Sequence, residues 1–170
     1  MLHLISLFWG MLLPTSTTTW QQTKATDKSR EVLIAAFWSF SANQSLLNDS
    51  ERLSQIREGC SAHLFRSIRM TFDLQERSVE ALFSMSISTL RRCAREQKRL
   101  NAIASERLDR IAAVCQHAEQ IFESRETAAQ WMSKPNKALG GSTPILHCVT
   151  EIGGKQVRRV LCALEWGGAA

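Results

Sequence analysis

Between residues 51 and 166 no stretch of the chain alternates apolar and polar residues with a period of two. The apolar residues return every three or four positions instead, which excludes a sheet-based core and predicts an all-α protein. Leu53 and Ile56 share one face of a first helix, opened by the turn Asn48-Asp49-Ser50. Leu64, Phe65, Ile68 and Phe72 form a core stripe, and Val79, Leu82 and Phe83 repeat it. Ile87, Leu90 and Ala94 mark another short helix running to about Gln97. A long helix follows from Ser105 to Phe122, with Leu108, Ile111, Ala112 and Cys115 inward. Ser105 is its expected N-cap, and Glu106 is placed to favour the helix dipole. The last helix carries Val157, Val160, Leu161 and Leu164 and is expected to begin after Gly153-Gly154.

The first 50 residues read differently and are expected to be an arm, partly disordered. Met1 to Leu13 is apolar and uncharged but has no Lys or Arg at its start, unlike a signal peptide. It is also shorter than the roughly 20 residues a membrane span needs. We read it as a disordered arm or as the product of a start-codon choice, with translation beginning at Met11. Residues 15 to 30 are polar and read as a linker. Glu31 to Phe40 is expected to be one short helix on the body, with a partner-binding segment anchored by Phe37 and Trp38 as the alternative.

The chemistry classes narrow quickly. The five cysteines, Cys60, Cys93, Cys115, Cys148 and Cys162, are widely spaced and form no CxxC pair, so no zinc site is predicted. They read as small buried thiols of a reduced, cytoplasmic protein. No nucleophile elbow, phosphate loop or HExxH occurs, so no catalytic residue, cofactor or enzymatic activity is assigned. The net charge of +5 suits an anionic partner, and no membrane association is expected.

One candidate for that partner lies in Leu74 to Gln97, which has the layout helix, three-residue turn Ser84-Met85-Ser86, helix. Ser86, Ser88 and Thr89 open the second helix, where hydroxyls can bond phosphates or base edges. Arg91, Arg95, Lys98 and Arg99 follow on one helical face, with Arg92 beside them. Such a face would be drawn to the DNA backbone in a salt-dependent way. The alternative is a solvated basic helix. Two positions depart from the usual motif: Ser84 stands where Gly is common, and Glu80 stands where the two helices cross.

The densest punctuation comes later, from Ala128 to Pro144. Ala128 and Trp131 lie in a short helix that Ser124 can cap, and Pro135 stops it, because the residue before a proline avoids the helical region. Asn136 can close a turn through its side chain. Gly140 and Gly141 permit positive φ. Thr143 can cap the next helix, with Pro144 at its first position. Trp131 is the apolar side chain available to pin the short helix to the long one.

In order and spacing these residues resemble the Xre/MbcA/ParS antitoxins, the neutralising partners of RES-domain toxins. The resemblance continues through Thr150, Gly153 or Gly154, Val157, Leu161 and Gly167. It is strongest over residues 106 to 170 and extends more weakly over the helix-turn-helix-like segment. It implies a DNA-binding-type domain at 51–104 and a toxin-binding domain at 105–170. It also implies that the tail, Trp166, Gly167, Gly168, Ala169 and Ala170, enters or abuts the NAD pocket of a toxin that consumes NAD, with Arg158 and Arg159 touching the toxin surface. The family's tail has a bulky residue after the Gly, where this chain has only small ones. Some family members bind their own operator, so operator DNA is a second expected partner, and a homodimer or a hetero-oligomer with toxin the expected assembly. The alternative function is a stand-alone DNA-binding regulator without a toxin.

Overall fold

The structure, a computed structural model, describes residues 16–167, with side-chain environments from Asp27 onward. Met1 to Leu13 and the tail residues Gly168, Ala169 and Ala170 lie outside the described residues. Within them the chain forms nine α-helices and one 3₁₀ turn, as the periodicity requires. The helices are α1 (Ser16–Leu46), α2 (Asp49–Glu58), α3 (Leu64–Thr71), α4 (Glu76–Phe83), α5 (Ile87–Arg95), α6 (Ala102–Phe122), α7 (Arg125–Ser133), α8 (Pro144–His147) and α9 (Glu151–Glu165). The 3₁₀ turn, Lys137–Leu139, precedes α8. The nearest approach to a sheet among the described residues is one antiparallel bridge, Ser61 to Arg99. No described helix is long and apolar enough to cross a membrane.

Helix α6 is the shaft of the molecule. It packs against α1, α2, α4, α7 and α9. A helix contacted on so many sides needs small or apolar residues all round, and Ala104, Leu108, Ile111, Ala112, Val114, Cys115 and Ala118 are all buried. Its N-cap is Asn101, whose side chain accepts from the Ala104 N–H at 2.8 Å. Ser105, the expected cap, is instead fully buried one turn in, where its hydroxyl accepts the Cys60 N–H at 2.9 Å.

The expected linker at 15–30 and the short helix at 31–40 are one 31-residue helix. No Pro or Gly interrupts residues 16 to 46, so a helix anchored at its apolar end can propagate outward through polar residues. The anchor is Phe37 and Trp38, both essentially buried, with Phe37 edge-on to Trp38 at 5.4 Å and to Phe72 at 5.1 Å. Those two rings are thus core residues and not partner anchors. The Ser41 hydroxyl donates to the Ala112 carbonyl at 2.9 Å and ties α1 to α6.

Helix α2 also departs from the apolar-face reading. Asn48 and Glu51 close a capping box, but α2 buries no residue, and Leu53 is exposed. It is held to α6 through charge: Arg52 donates to both Asp109 oxygens at 3.0 and 2.7 Å. Cys60, Cys115 and Cys148 are buried, and all five thiols are free. Burial pushes the Cys115 thiol well up and the Cys148 thiol to about 12, so both are chemically quiet.

Candidate functional site

Two surfaces carry the residues singled out by the sequence. The first is built by α4 and α5. The turn between them passes through Ser84 in the left-handed region, φ 50°. Arg107 of α6 closes this turn, with one guanidinium nitrogen within 3.2 Å of the Ala81 and Leu82 carbonyls and 2.6 Å from the Ser84 hydroxyl. Those are the last carbonyls of α4, where a cation is favoured. Glu80, the departure at the helix crossing, caps the next helix: its carboxylate accepts the Ile87 N–H at 2.8 Å. Ser86 adds the side-chain N-cap, accepting from the Thr89 N–H.

The hydroxyl of Ser86 is hydrogen-bonded to both Ser88 and Thr89, so Ser86 and Thr89 are occupied in shaping the helix start. Ser88 is exposed beside them. The basic run does not form a single helical face. Helix α5 ends at Arg95, and Gln97 turns the backbone to φ 53°. Beyond that turn Arg99 lies in the bridge to Ser61 and donates to the Gly59 carbonyl at 2.8 Å, and Lys98 pairs with Glu96 at 2.6 Å. The bond to Lys98, then the charges of Arg92 and Arg95, hold the Glu96 carboxyl below its ordinary range. Arg91 is paired with Glu76 at 2.5 Å. Arg92 and Arg95 remain exposed and form no ion pair among the described residues. Arg95 and Arg91, with Arg66 and Arg69 of α3, rim a shallow depression of about 550 Å³ floored by Phe65 and Ala94.

The second surface is presented by α9 and depends on the loop before it. Lys134 is extended ahead of Pro135 and ends α7, and Trp131 packs on Phe122 of α6 at 5.7 Å. Asn136 closes the loop through three groups. Its side chain accepts the Ala138 N–H at 2.8 Å, its carbonyl accepts the Gly141 N–H at 2.9 Å, and its N–H donates to the Ser142 carbonyl at 3.1 Å. Gly140 and Gly141 hold φ of 65° and 82°, and a Cβ at either would meet nothing, so backbone torsion alone demands glycine there. Pro144 opens α8 as expected, but Thr143 makes no side-chain cap bond, and its hydroxyl is buried without a partner.

Gly153 and Gly154 do not precede α9. The helix opens at Glu151, with Thr150 as N-cap accepting the Gly153 N–H at 3.0 Å. Both glycines are buried inside its first turns because neighbours pass too close for a side chain. A Cβ on Gly153 would lie 1.8 Å from the His147 carbonyl oxygen, and one on Gly154 would lie 2.9 Å from Arg110. Arg110, buried in α6, donates to the Cys148 carbonyl at 2.9 Å and pairs with Glu106 and with Glu151, the latter at 3.2 Å. It thereby fixes the start of α9, and neither it nor Arg107 stood out in the sequence as more than a surface base.

Arg158 is half-buried and leans on Glu151 at 3.3 Å, whereas Arg159 is exposed. Trp166 is 87% exposed, and Gly167 turns the chain at φ 75°. Ile152, which the sequence reading passed over, is 73% exposed. Ile152, Arg159 and Trp166 recur every seven residues and so share the outward face of α9.

Residues 51–113 match the family described as the antitoxin Xre-like helix-turn-helix domain, and residues 117–167 match the antitoxin Xre/MbcA/ParS C-terminal toxin-binding domain. Both matches run into α6, which serves the two surfaces alike. The chain is 36% identical over 78 residues to an Antitoxin Xre of Photorhabdus laumondii, covering 45% of this chain and 52% of that one. It is 31% identical over 81 residues to an Antitoxin Xre of Pseudomonas putida, covering 48% and 51%. It spans about half the length of the curated relatives it matches.

Proposed function

Because this chain belongs to the Xre/MbcA/ParS antitoxins, we propose that it neutralises a RES-domain toxin by docking α9 on the toxin. The tail beyond Trp166 is then set against the NAD-consuming site. The observation that carries this reading is the outward face of α9, where Ile152 and Trp166 are exposed at the two ends and Arg159 stands between them. Two large apolar side chains flanking a cation on a rigid helix suit a protein interface, where Trp and Arg anchors carry most of the energy. Gly167, Gly168, Ala169 and Ala170 are small enough to follow into a cleft. Arg158 shares Glu151 with Arg110 and is half-buried, so Arg159 is the freer of the two cations to meet the toxin.

The α4–α5 surface fits contact with operator DNA in the same molecule. Arg92 and Arg95 are its available cations, with the exposed Ser88 hydroxyl bonded to Ser86 beside them. Arg66 adds positive potential around the adjoining depression, where Arg91 and Arg69 share Glu76. Arg99 and Lys98 hold the chain after α5 and contribute charge only at a distance. This assigns 51–104 to DNA and 105–170 to toxin, with two copies joined where an operator has two half-sites.

The test is co-expression with the product of the neighbouring gene, following growth and NAD content. Rescue of both by the full chain, lost on deletion of Trp166 to Ala170, is the expected result. Full rescue by the deleted chain rules out the tail as the blocking element. A neighbour that leaves NAD untouched rules out the RES-type reading and favours a stand-alone regulator. Arg92→Ala with Arg95→Ala should leave rescue intact and lower the salt slope of operator binding by about one per lost phosphate contact.

A further inference from the structure

Helices α6 and α9 bring together three side chains that lie far apart in the sequence: His117 of α6 with Cys162 and Glu165 of α9. A ring nitrogen, the sulfur and a carboxylate oxygen lie within 4.8 Å of one another. We propose that these three residues bind a divalent transition-metal ion, zinc being the best match, and that the metal clamps the C-terminal end of α9 to α6.

The donor set decides the class of metal. One borderline imidazole, one soft thiolate and one hard carboxylate make a mixed set that suits zinc and disfavours calcium and magnesium, which take oxygen alone. Ligands on a tetrahedral zinc stand roughly 3.5 Å apart, given metal–ligand bonds of about 2.0 to 2.3 Å. From within 4.8 Å the donors need to close by no more than about 1.3 Å to reach that spacing, within reach of side-chain rotation because Cys162 and Glu165 are exposed and His117 is half-buried. Among the described residues none of the three side chains makes a hydrogen bond or ion pair that a metal would have to break. Cys162 and Glu165 are three residues apart and so lie on one side of α9, next to the face buried against α6. Binding expels the Cys162 thiol proton to solvent and leaves one tetrahedral position for water. Trp166 follows directly, so the clamp would stiffen the root of the tail. The inference rests on the geometry of α6 and α9 and is independent of the toxin assignment.

The probe is cobalt(II) added to the untagged, chelator-treated full chain, with zinc as competitor. The expected result is one equivalent bound, a thiolate-to-cobalt charge-transfer band, and loss of that band on adding zinc. Cys162→Ser should abolish the band. His117→Ala should weaken binding roughly tenfold or more, since even outer-shell partners of a metal are worth that much. Cys93→Ser should change nothing. Zinc should also slow alkylation of Cys162 in the wild-type chain while leaving that of Cys93 unaffected. Circular dichroism of each variant separates ligand loss from unfolding, and exposed positions 162 and 165 tolerate substitution. Absence of the band at micromolar cobalt, or a band that survives Cys162→Ser, overturns the proposal.

Discussion

The α4–α5 turn and the α7–α8 loop both reverse the chain, but they are held shut by different means. The α7–α8 loop closes on itself. Asn136 supplies side-chain and backbone bonds, Gly140 and Gly141 supply the positive φ, and Pro135 and Pro144 mark its two ends. The α4–α5 turn is held by long side chains on its flanks. Its left-handed residue is Ser84, its carbonyls are taken by Arg107 of α6, and the N–H of Ile87 is taken by Glu80. A turn written in its own residues keeps its shape whatever surrounds it. A turn held by α6 keeps its shape only while the surrounding helices are in place, so the presentation of α5 depends on the same helix that carries α7 and α9.

The strongest way to probe the C-terminal half is at the glycines that admit its neighbours. Gly153→Ala forces a Cβ onto the His147 carbonyl, a backbone atom that cannot rotate away. It should destabilise by about 3 kcal/mol, at the upper end of overpacking costs, in urea or thermal unfolding. Next, Arg107→Ala should lose about 2 kcal/mol through the uncapped α4 carbonyls, and operator binding should fall with it. If stability changes while operator binding does not, the turn has no role in presenting α5. Gly141→Ala should cost about 1 kcal/mol from backbone torsion alone, since the space around it is open. It should leave operator binding unchanged, which sharpens the contrast with Arg107. The smallest effect runs the other way: Ser84→Gly should stabilise by about 0.5 kcal/mol by relieving the left-handed residue. A loss of stability there would mean that the Ser84 hydroxyl bond to Arg107 outweighs the torsional strain.

The same contrast explains which parts of the site were legible. The Pro-Asn, Gly-Gly and Thr-Pro order is visible because Pro135, Asn136, Gly140, Gly141 and Pro144 each act on their own torsions or on an atom a few residues away, whereas the Thr143 hydroxyl makes no cap bond. The basic run around α5 was legible in composition but not in shape. Gln97 at positive φ sends Lys98 and Arg99 off the helix, and Arg91 is neutralised by Glu76, so two arginines of the series are left unpaired on the helix. Residues 15 to 30 read as a linker because they lack an apolar period, yet a helix can extend through them from the buried Phe37 and Trp38.

By itself the sequence determined the all-α class, the places where most helices start and stop, the closed loop after Trp131 and the family. These follow from apolar periodicity, proline and glycine torsions and short capping bonds, all of which act over a few residues. Only the tertiary structure decided that Gly153 and Gly154 are points of close contact inside α9, and that Glu80 and Arg107 close the α4–α5 turn. It also decided that Trp38 is spent in the core, and that His117 meets Cys162 and Glu165. The physical reason is the same in each case. What a side chain meets depends on which helix passes within a few ångströms of it, and no local pattern in the chain carries that distance.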